Sequence, residues 1–459
     1  MSERLLTGPI LPTLLRLAWP NMLAMVSAAA VGIAETRYVG LLGTEALAAM
    51  ALVFPFAMLM QMFSAGAMGG GISAAVARAL GAGDAHRAQS LASSAALIGL
   101  ALGLVFTAVF LLGGRALYML LGARGNVLEL ACEYSNTLFC GMVGVWLANS
   151  LVSVLRGTGD MKRPSALILT VSLLQIALGA ALGLGLGPFP RWGMTGIALG
   201  QVLAFGAAAA FLTWYLGSGR ARLRLASKSA PPDRGAFADI LRVGGLACLS
   251  PLQSVATVLI STALVATAGI DALAGYGIGS RLEFMLVPIA FGIGVASVPL
   301  VGLAVGRGDL VRARRVAWTA AALSAGLLGA IGLVVAVFPR VWSGVFSDHP
   351  DVLAAADQYL RLAGPAFPLF GLGLTLFFAS QGAGKVLGPV LAGTVRLLVV
   401  AALGTVLVLA GAPTWTYFAL VGVGMVAYGI TTALAVYWTS WSPPSPPPAA
   451  QPPRAQAGR

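Results

Sequence analysis

The chain has 459 residues, of which 58% are hydrophobic and 9% are charged. Soluble domains contain about 25% charged residues and disordered chains are poor in apolar ones, so both classes are excluded. The formal net charge is +13. In a membrane protein such an excess is typical of cytoplasmic loops, so we expect no nucleic-acid partner. The composition therefore indicates an α-helical integral membrane protein.

Apolar stretches separated by charged residues or by Gly and Pro predict twelve membrane-spanning helices. Each needs about 20 apolar residues, which the chain length accommodates. The first stretch is too long for a cleavable signal peptide, so we interpret it as a retained span. The predicted spans are residues 14–41, 46–76, 88–112, 127–155, 164–187, 193–216, 240–268, 273–304, 314–338, 352–381, 388–410 and 415–440.

The distribution of basic residues predicts the orientation of these spans. With both termini in the cytoplasm, 20 of the 28 Lys and Arg residues fall on the cytoplasmic side and five on the other. Cytoplasmic loops gather Lys and Arg, so this arrangement is favoured. The predicted organisation is an N-terminal bundle at 1–216, a cytoplasmic linker at 217–239, a C-terminal bundle at 240–440 and a Pro-rich disordered tail at 441–459. The basic linker could also bind lipid headgroups.

An internal repeat divides the chain into two halves of six spans each. Four short segments recur in the same order, at offsets of 226, 226, 225 and 225 residues. They are Leu15-Arg16 with Leu241-Arg242, Gly43–Ala48 with Gly269–Ala274, Gly81–Ala88 with Gly306–Ala313, and Gly157–Pro164 with Gly382–Pro389. Because six is even, both halves enter the membrane from the same side. The repeat predicts two bundles around a central cleft, related by a pseudo-two-fold axis along the membrane normal, an arrangement typical of secondary transporters.

The third repeated segment has the pattern Gly-x-Gly-Asp-x-x-Arg-Ala in both halves, at Gly81–Ala88 and Gly306–Ala313. The segments are too short and wrongly placed to hold a phosphate group. We interpret them as helix-capping turns at the cytoplasmic gate.

Four motifs resemble the multidrug and toxic compound extrusion (MATE) family, in the superfamily that also contains lipid and oligosaccharide flippases. They are Trp19-Pro20, Glu35–Gly40, Ala79–Asp84 and Arg156–Pro164. The resemblance implies a bacterial inner-membrane antiporter that exports organic, often cationic, drugs while H⁺ or Na⁺ moves inward. We expect small organic cations and membrane lipid as partners, a monomer, no enzymatic activity and no cofactor beyond the coupling ion.

Glu35 in span 1 is the main candidate for coupling, since ionisable residues within a bilayer are costly and often functional. A shielded carboxyl group could exchange a proton near neutral pH or ligate Na⁺. The family usually has Asp here, and the resemblance implies a cation-coupling role. In one branch an Asn and an Asp on span 5 partner this acid, but the matching residues here are Gln175 and Gly179. The predicted site consists of Glu35, Gln175 and, from span 6, Gln201.

Structural interpretations of these residues stay open. Glu35 could be a neutral, hydrogen-bonded residue of a packed bundle. The two glutamines could simply join neighbouring helices.

The C-terminal half offers a second candidate site. Arg281 and Glu283 on span 8 point to different helix faces, so Arg396 on span 11 is the candidate partner of Glu283. Another family branch has acids on spans 7 and 10, where this chain offers Gln253 and, near the outer end, Asp357. Either Arg396 and Glu283 form a structural pair, or the group forms a second coupling or substrate site.

Other functions are less consistent with the sequence. A flippase for a lipid-linked headgroup would favour a strongly basic cleft, yet only three basic residues lie within the spans. An intramembrane enzyme would need convergent catalytic groups, and the two histidines, His86 and His349, both lie in loops. A channel does not need duplicated bundles.

Overall fold

The computed structural model describes residues 7–225 and 232–441, and within these ranges every regular element is a helix. Twelve helical segments are long and apolar enough to cross a membrane, one of them bent by 42°. They are α1 Ile10–Leu42, α2 Thr44–Gly81, α3 Ala85–Leu120, α4 Gly125–Cys140 continued by Met142–Gly157, α5 Lys162–Leu184, α6 Gly193–Gly217, α7 Arg234–Ala266, α8 Ile270–Gly306, α9 Leu310–Val337, α10 Pro350–Ala383, α11 Leu387–Leu409 and α12 Thr414–Trp438. The predicted all-α, twelve-span fold is confirmed.

The loops α2–α3, α4–α5, α6–α7, α8–α9 and α10–α11 lie at one end of the molecule. We call it the inner end, because the charge distribution predicts that it faces the cytoplasm. The opposite end, which includes the short helix Arg340–Ser343, is called the outer end.

Both repeated Gly-x-Gly-Asp segments are capping turns at the inner end, as predicted. The Asp84 carboxylate accepts a hydrogen bond from the backbone N–H of Arg87 at 2.8 Å, and Asp309 accepts one from Arg312 at 2.9 Å. The preceding Gly83 has φ 77°, a left-handed conformation that glycine adopts without strain. The turns therefore stop α2 and α8 and start the next helices within three residues.

Helix α2 changes character along its length. Its outer part, Thr44–Gln61, packs on α1 and α4 within the N-terminal half. A π-helical turn, Met62–Met68, follows, and the Asn149 amide of α4 donates a hydrogen bond to Ser64 in it at 2.9 Å. The inner part, Gly69–Gly81, packs on α7, α8 and α10 of the C-terminal half. The two halves of the molecule therefore meet along the inner part of α2.

The segments predicted as linker and tail are partly packed. Helix α7 begins at Arg234, inside the predicted linker 217–239. Leu223 is buried, and the N–H of Arg224 donates to the Gln89 side chain of α3 at 3.0 Å. In the predicted tail, Trp441 is buried beneath the Arg314 guanidinium, 5.5 Å from its ring centroid. Linker residues 226–231 and tail residues 442–459 lie outside the described residues, and the domain boundaries remain a prediction.

Candidate functional site

The three residues predicted around the span-1 acid meet in the structure. Glu35 and Gln175 are 6% and 5% exposed. The side-chain amide of Gln175 donates one hydrogen bond to the Glu35 carboxylate at 2.8 Å and one to the side-chain oxygen of Gln201 at 3.2 Å. Gln175 therefore links α1 to α6 through α5. The predicted coupling role of this group remains a prediction.

Glycines on α5 and α6 allow these side chains to meet. A Cβ added at Gly200 of α6 would lie 2.6 Å from the Gly179 nitrogen of α5 and 3.2 Å from the Gln175 carbonyl oxygen. Only glycine at position 200 permits backbones this close. The short distance between the two helices brings Gln201 beside Gln175, and α1 packs against α5 to supply Glu35.

Tyr134 is a further residue at this site that the sequence analysis did not select. It lies on α4, is buried, and interacts electrostatically with Glu35. A lone tyrosine in an apolar span gives little signal, because Tyr also packs at ordinary helix contacts. Within the described residues, no group of three or more His, Cys, Asp or Glu side chains could hold a metal ion. Any Na⁺ at Glu35 would therefore depend on amide and carbonyl oxygens besides this carboxylate.

The C-terminal candidates do not form the predicted direct pair. Among the ion pairs of the described chain, none joins Arg396 to Glu283 within 4.0 Å, although the two charges interact electrostatically. The Arg396 guanidinium lies over the rings of Phe370 and Tyr428, at 5.4 and 6.0 Å from their centroids. One Glu283 oxygen and the Arg396 Nε are buried without a hydrogen-bond partner. Helix spacing identified the facing residues, but the arginine side chain turns to the aromatic rings.

The other two predicted C-terminal residues lie apart from this pair. The Gln253 amide of α7 donates to the Thr394 hydroxyl of α11 at 2.8 Å, and Gly393 leaves the room that its carbonyl oxygen occupies. Arg281 is exposed and extends over Phe346 in the outer α9–α10 connection, 5.5 Å from the ring centroid. The structure therefore separates Arg281 from Gln253 rather than assembling one four-residue site.

The two halves of the molecule press together at the inner end, in contacts related by the repeat. A Cβ at Gly81 of α2 would lie 2.2 Å from the Leu303 carbonyl oxygen of α8, and one at Gly306 would lie 2.1 Å from that of Arg78. The offset of 225 residues exchanges these two contacts. We call this region, in which α2 crosses α8, the inner closure.

Polar groups reinforce the inner closure. Arg156 of α4 is 2% exposed and donates a hydrogen bond to the side-chain oxygen of Asn21 at 2.9 Å. The side-chain amide of Asn21 donates in turn to the backbone oxygen of Gly292 on α8 at 3.3 Å. At the surface, Arg87 pairs with Asp239 of α7. The repeat-related Arg312 donates to the Gly8 backbone oxygen before α1 at 2.7 Å. Each half therefore holds the first helix of the other.

The candidate coupling site lies on the outer side of this closure. Glu35 is seven residues before the end of α1 at Leu42, about 10 Å from the outer end at 1.5 Å per residue. Met22, which contacts Gly292 of α8, lies about 20 Å further inward by the same rise. The two halves are therefore joined on the inner side of Glu35.

Comparisons with known proteins agree with this architecture. Residues 20–181 and 248–407 match the family model described as MatE. The chain is 30% identical over 409 residues to a probable multidrug resistance protein NorM of Deinococcus radiodurans, covering 86% of this chain and 88% of that protein. It is 25% identical over 382 residues to an FAD transporter of Shewanella oneidensis, covering 83% and 84% of the two chains.

Solved structures share the fold. A MOP superfamily transporter from Pyrococcus furiosus is 24% identical, with a TM-score of 0.86 over 95% of this chain and 96% of that one. A multidrug resistance MATE transporter described as outward-facing gives a TM-score of 0.85 at 24% identity and the same coverage. The match to the family model, the relatives and the twelve-helix fold together confirm the resemblance. The chain is an integral membrane protein that belongs to the MatE family of multidrug and toxic compound extrusion transporters.

Proposed function

We propose that the protein is a secondary active antiporter that exports small organic, often cationic, compounds in exchange for inward H⁺ or Na⁺, with Glu35 as the coupling acid. The observation that carries the proposal is the shielded carboxylate of Glu35, held by the Gln175 amide on the outer side of a closed inner contact. Names of relatives support a multidrug substrate range, since several are called multidrug resistance or export proteins.

The energetic basis of coupling is the cost of a bare charge in a shielded site. A proton or Na⁺ that enters from the outer side neutralises Glu35 and removes this cost. The neutralised bundle can then rock so that the site faces inward, where the ion leaves. A cationic cargo can neutralise the same carboxylate on the return step. Competition between ion and cargo for one negative charge would couple their opposite movements.

The hydrogen bonds of Gln175 support a switch at this position. Its amide group donates both to Glu35 and to Gln201. If Glu35 is protonated or ligates Na⁺, its oxygen becomes a weaker acceptor, and the bond from Gln175 to Glu35 weakens relative to its bond to α6. The state of the acid is thereby transmitted to the contact between α5 and α6.

Transport in proteoliposomes tests the proposal. Purified protein is reconstituted with a fluorescent organic cation, and an imposed pH or Na⁺ gradient drives transport. We expect one gradient to drive it and Glu35→Gln to abolish this response. Glu45→Gln is the matched control, because Glu45 is an exposed acid at the outer end of α2. Full gradient-driven transport by Glu35→Gln, with Glu45→Gln unaffected, would contradict the proposed coupling role.

The same vesicles address other cargo. FAD is included because one relative is named an FAD transporter, and a fluorescent phospholipid tests the flippase alternative. We expect the imposed ion gradient to drive organic cations across the vesicle membrane and the phospholipid to remain in its leaflet. Movement of phospholipid without movement of any organic cation would replace export by lipid flipping.

A further inference from the structure

A crevice on the outside of the N-terminal bundle lies between α5 and α6. Its cavity volume is about 570 Å³. Its walls include the exposed residues Ala166, Thr170 and Leu174 of α5 and Ala207 and Phe211 of α6. Its floor is formed by buried apolar side chains, among them Leu155 of α4. We call this cavity the α5–α6 crevice.

Small residues bring the two helices together toward the outer end. There, a Cβ at Gly196 would lie 2.4 Å from the Leu182 carbonyl oxygen, and one at Gly200 would lie 2.6 Å from the Gly179 nitrogen. Toward the inner end these small residues give way to longer side chains on α5 and to Phe211 and Tyr215 on α6, while the alanines between them leave space. The space between these side chains forms an apolar slot.

The dimensions of the crevice suit an acyl chain of the inner leaflet. Its lining on α5 runs from Arg163 to Leu174, twelve residues that span about 16 Å at 1.5 Å per residue. That length corresponds to about half of the roughly 30 Å hydrocarbon core of a bilayer.

Two cationic side chains lie near the inner mouth of the crevice. Arg163 is a lining residue, and its guanidinium is 5.7 Å from the Tyr215 ring centroid. The Arg220 guanidinium is 5.0 Å from the ring centroid of Trp214, and this ring lies 6.0 Å from that of the wall residue Phe211. Arg163 also pairs with Asp160 at 3.2 Å, but its side chain remains 67% exposed. Tyr and Trp are typical of the membrane interface, where Arg side chains attract anionic headgroups.

The internal repeat shows that this mouth is particular to the N-terminal half. The offset of 225 residues relates Arg163 to Gly388 on α11. There, a Cβ would lie 2.8 Å from the Ala435 Cβ of α12, so the corresponding helix pair is closed at its inner end. One half carries a small residue that closes the pair, and the other carries an arginine above an open slot.

We propose that the α5–α6 crevice binds one anionic phospholipid of the inner leaflet, with an acyl chain along the slot and the phosphate at Arg163 and Arg220. The apolar lining selects a chain, and the two guanidinium groups select a negative headgroup over a zwitterionic one. The lining of the crevice does not include Glu35, Gln175 or Gln201, so the inference does not depend on the transported substrate.

Lipid retention tests the proposal on the full-length protein. The protein is equilibrated in mixed micelles with equal amounts of phosphatidylglycerol and phosphatidylcholine, re-purified, and its bound lipid is quantified by mass spectrometry. We expect one retained lipid, with phosphatidylglycerol favoured on the order of 25-fold, since each basic residue near a membrane surface contributes a factor of about five. Equal retention of the two lipids by the unmodified protein would overturn the proposal.

Two kinds of variant separate the slot from the headgroup site. Ala207→Trp fills the crevice and should lose the retained lipid, whereas Ala210→Trp, an exposed residue of α6 outside the lining, should keep it. The double variant Arg163→Gln/Arg220→Gln should keep a lipid but lose the preference for phosphatidylglycerol. Equal retention by the two tryptophan variants would overturn the acyl-chain assignment, and an unchanged preference in the double variant would overturn the headgroup assignment.

A charge control and a competitor complete the design. Arg315→Gln removes an exposed inner-end charge from the other half and should leave the preference unchanged. Glycerol 3-phosphate in excess should not displace the lipid, because it lacks an acyl chain. If Arg315→Gln lowered the preference as much as the double variant, or if glycerol 3-phosphate displaced the lipid, the crevice would not be the site.

Discussion

Gly71 offers a direct way to disturb the contact of α2 with α7, which joins the two halves beside the inner closure. A Cβ at this position would lie 2.7 Å from the Gly244 nitrogen and 2.8 Å from its Cα. Ordinary contact begins at 3.4 Å, so the Gly71→Ala variant must move backbone by about 0.7 Å. Backbone atoms of two packed helices cannot swing aside as a side chain does. The methyl group is therefore expected to push α2 and α7 apart.

The cost of this overlap can be bounded. Inserting a methyl group into a packed contact typically costs 1–3 kcal/mol. Because the contact joins the two halves, most of this cost is removed when the inner closure opens. The arrangement in which this contact is intact should therefore lose about 5- to 150-fold in population relative to an inward-open one.

Double electron–electron resonance measures this shift. Spin labels are placed at Lys162→Cys and Lys385→Cys, exposed residues at the inner ends of the two halves, after replacement of Cys132, Cys140 and Cys248. In the Gly71→Ala variant we expect a second population at longer distance. Gly245→Ala is the matched control, since a Cβ there meets nothing within 4 Å. An unchanged distance distribution in Gly71→Ala, or an equal shift in Gly245→Ala, would refute the reasoning.

Three further changes probe the coupling site and the closure. Gln175→Leu removes both amide hydrogen bonds. It should lower the rate of gradient-driven transport about tenfold, which corresponds to the loss of one hydrogen bond to a charged group. An unchanged rate in vesicles would show that this residue takes no part in coupling. Arg87→Gln should raise the population in which the inner closure is open by up to about fivefold, because its exposed ion pair with Asp239 contributes at most about 1 kcal/mol. If the spin-labelled protein shows the same increase at 1 M salt, the effect is not ionic. Asn21→Ala removes the side-chain oxygen that accepts the hydrogen bond of the buried Arg156, and should lower the free energy of unfolding by about 1.5–3 kcal/mol. The thermal unfolding midpoint should be lower than that of Thr36→Ala, a control at an exposed residue of α1.

The sequence was sufficient for the fold and for part of the candidate site. Apolar stretches, basic loops and the repeat are properties of composition and order, and they predicted twelve spans in two halves. Glu35, Gln175 and Gln201 could be selected because a polar residue within an apolar span is conspicuous. Their mutual contacts were harder to anticipate, since these depend on the glycine approach between α5 and α6 at Gly179 and Gly200.

Residues near loop motifs were less accessible to sequence reasoning. Arg156 stands directly before a turn, which suggests a solvated cytoplasmic charge, yet its side chain turns into the bundle and meets Asn21. The Arg396 side chain was expected to reach Glu283 but lies over two aromatic rings. In both cases the helix position was correct. The side-chain direction depends on neighbouring helices that spacing along one helix cannot describe.

The crossing of α2 and α8 has a mechanical consequence. Gly81 presses on Leu303, and its duplicate Gly306 presses on Arg78, in backbone contacts that the repeat exchanges. Side-chain contacts can adjust gradually as rotamers change, but two backbones in direct contact are either packed together or separated. Both contacts lie where the same two helices cross, so we expect them to form and to break together. The internal repeat has thereby placed two backbone contacts at one crossing, which should open and close as a single unit.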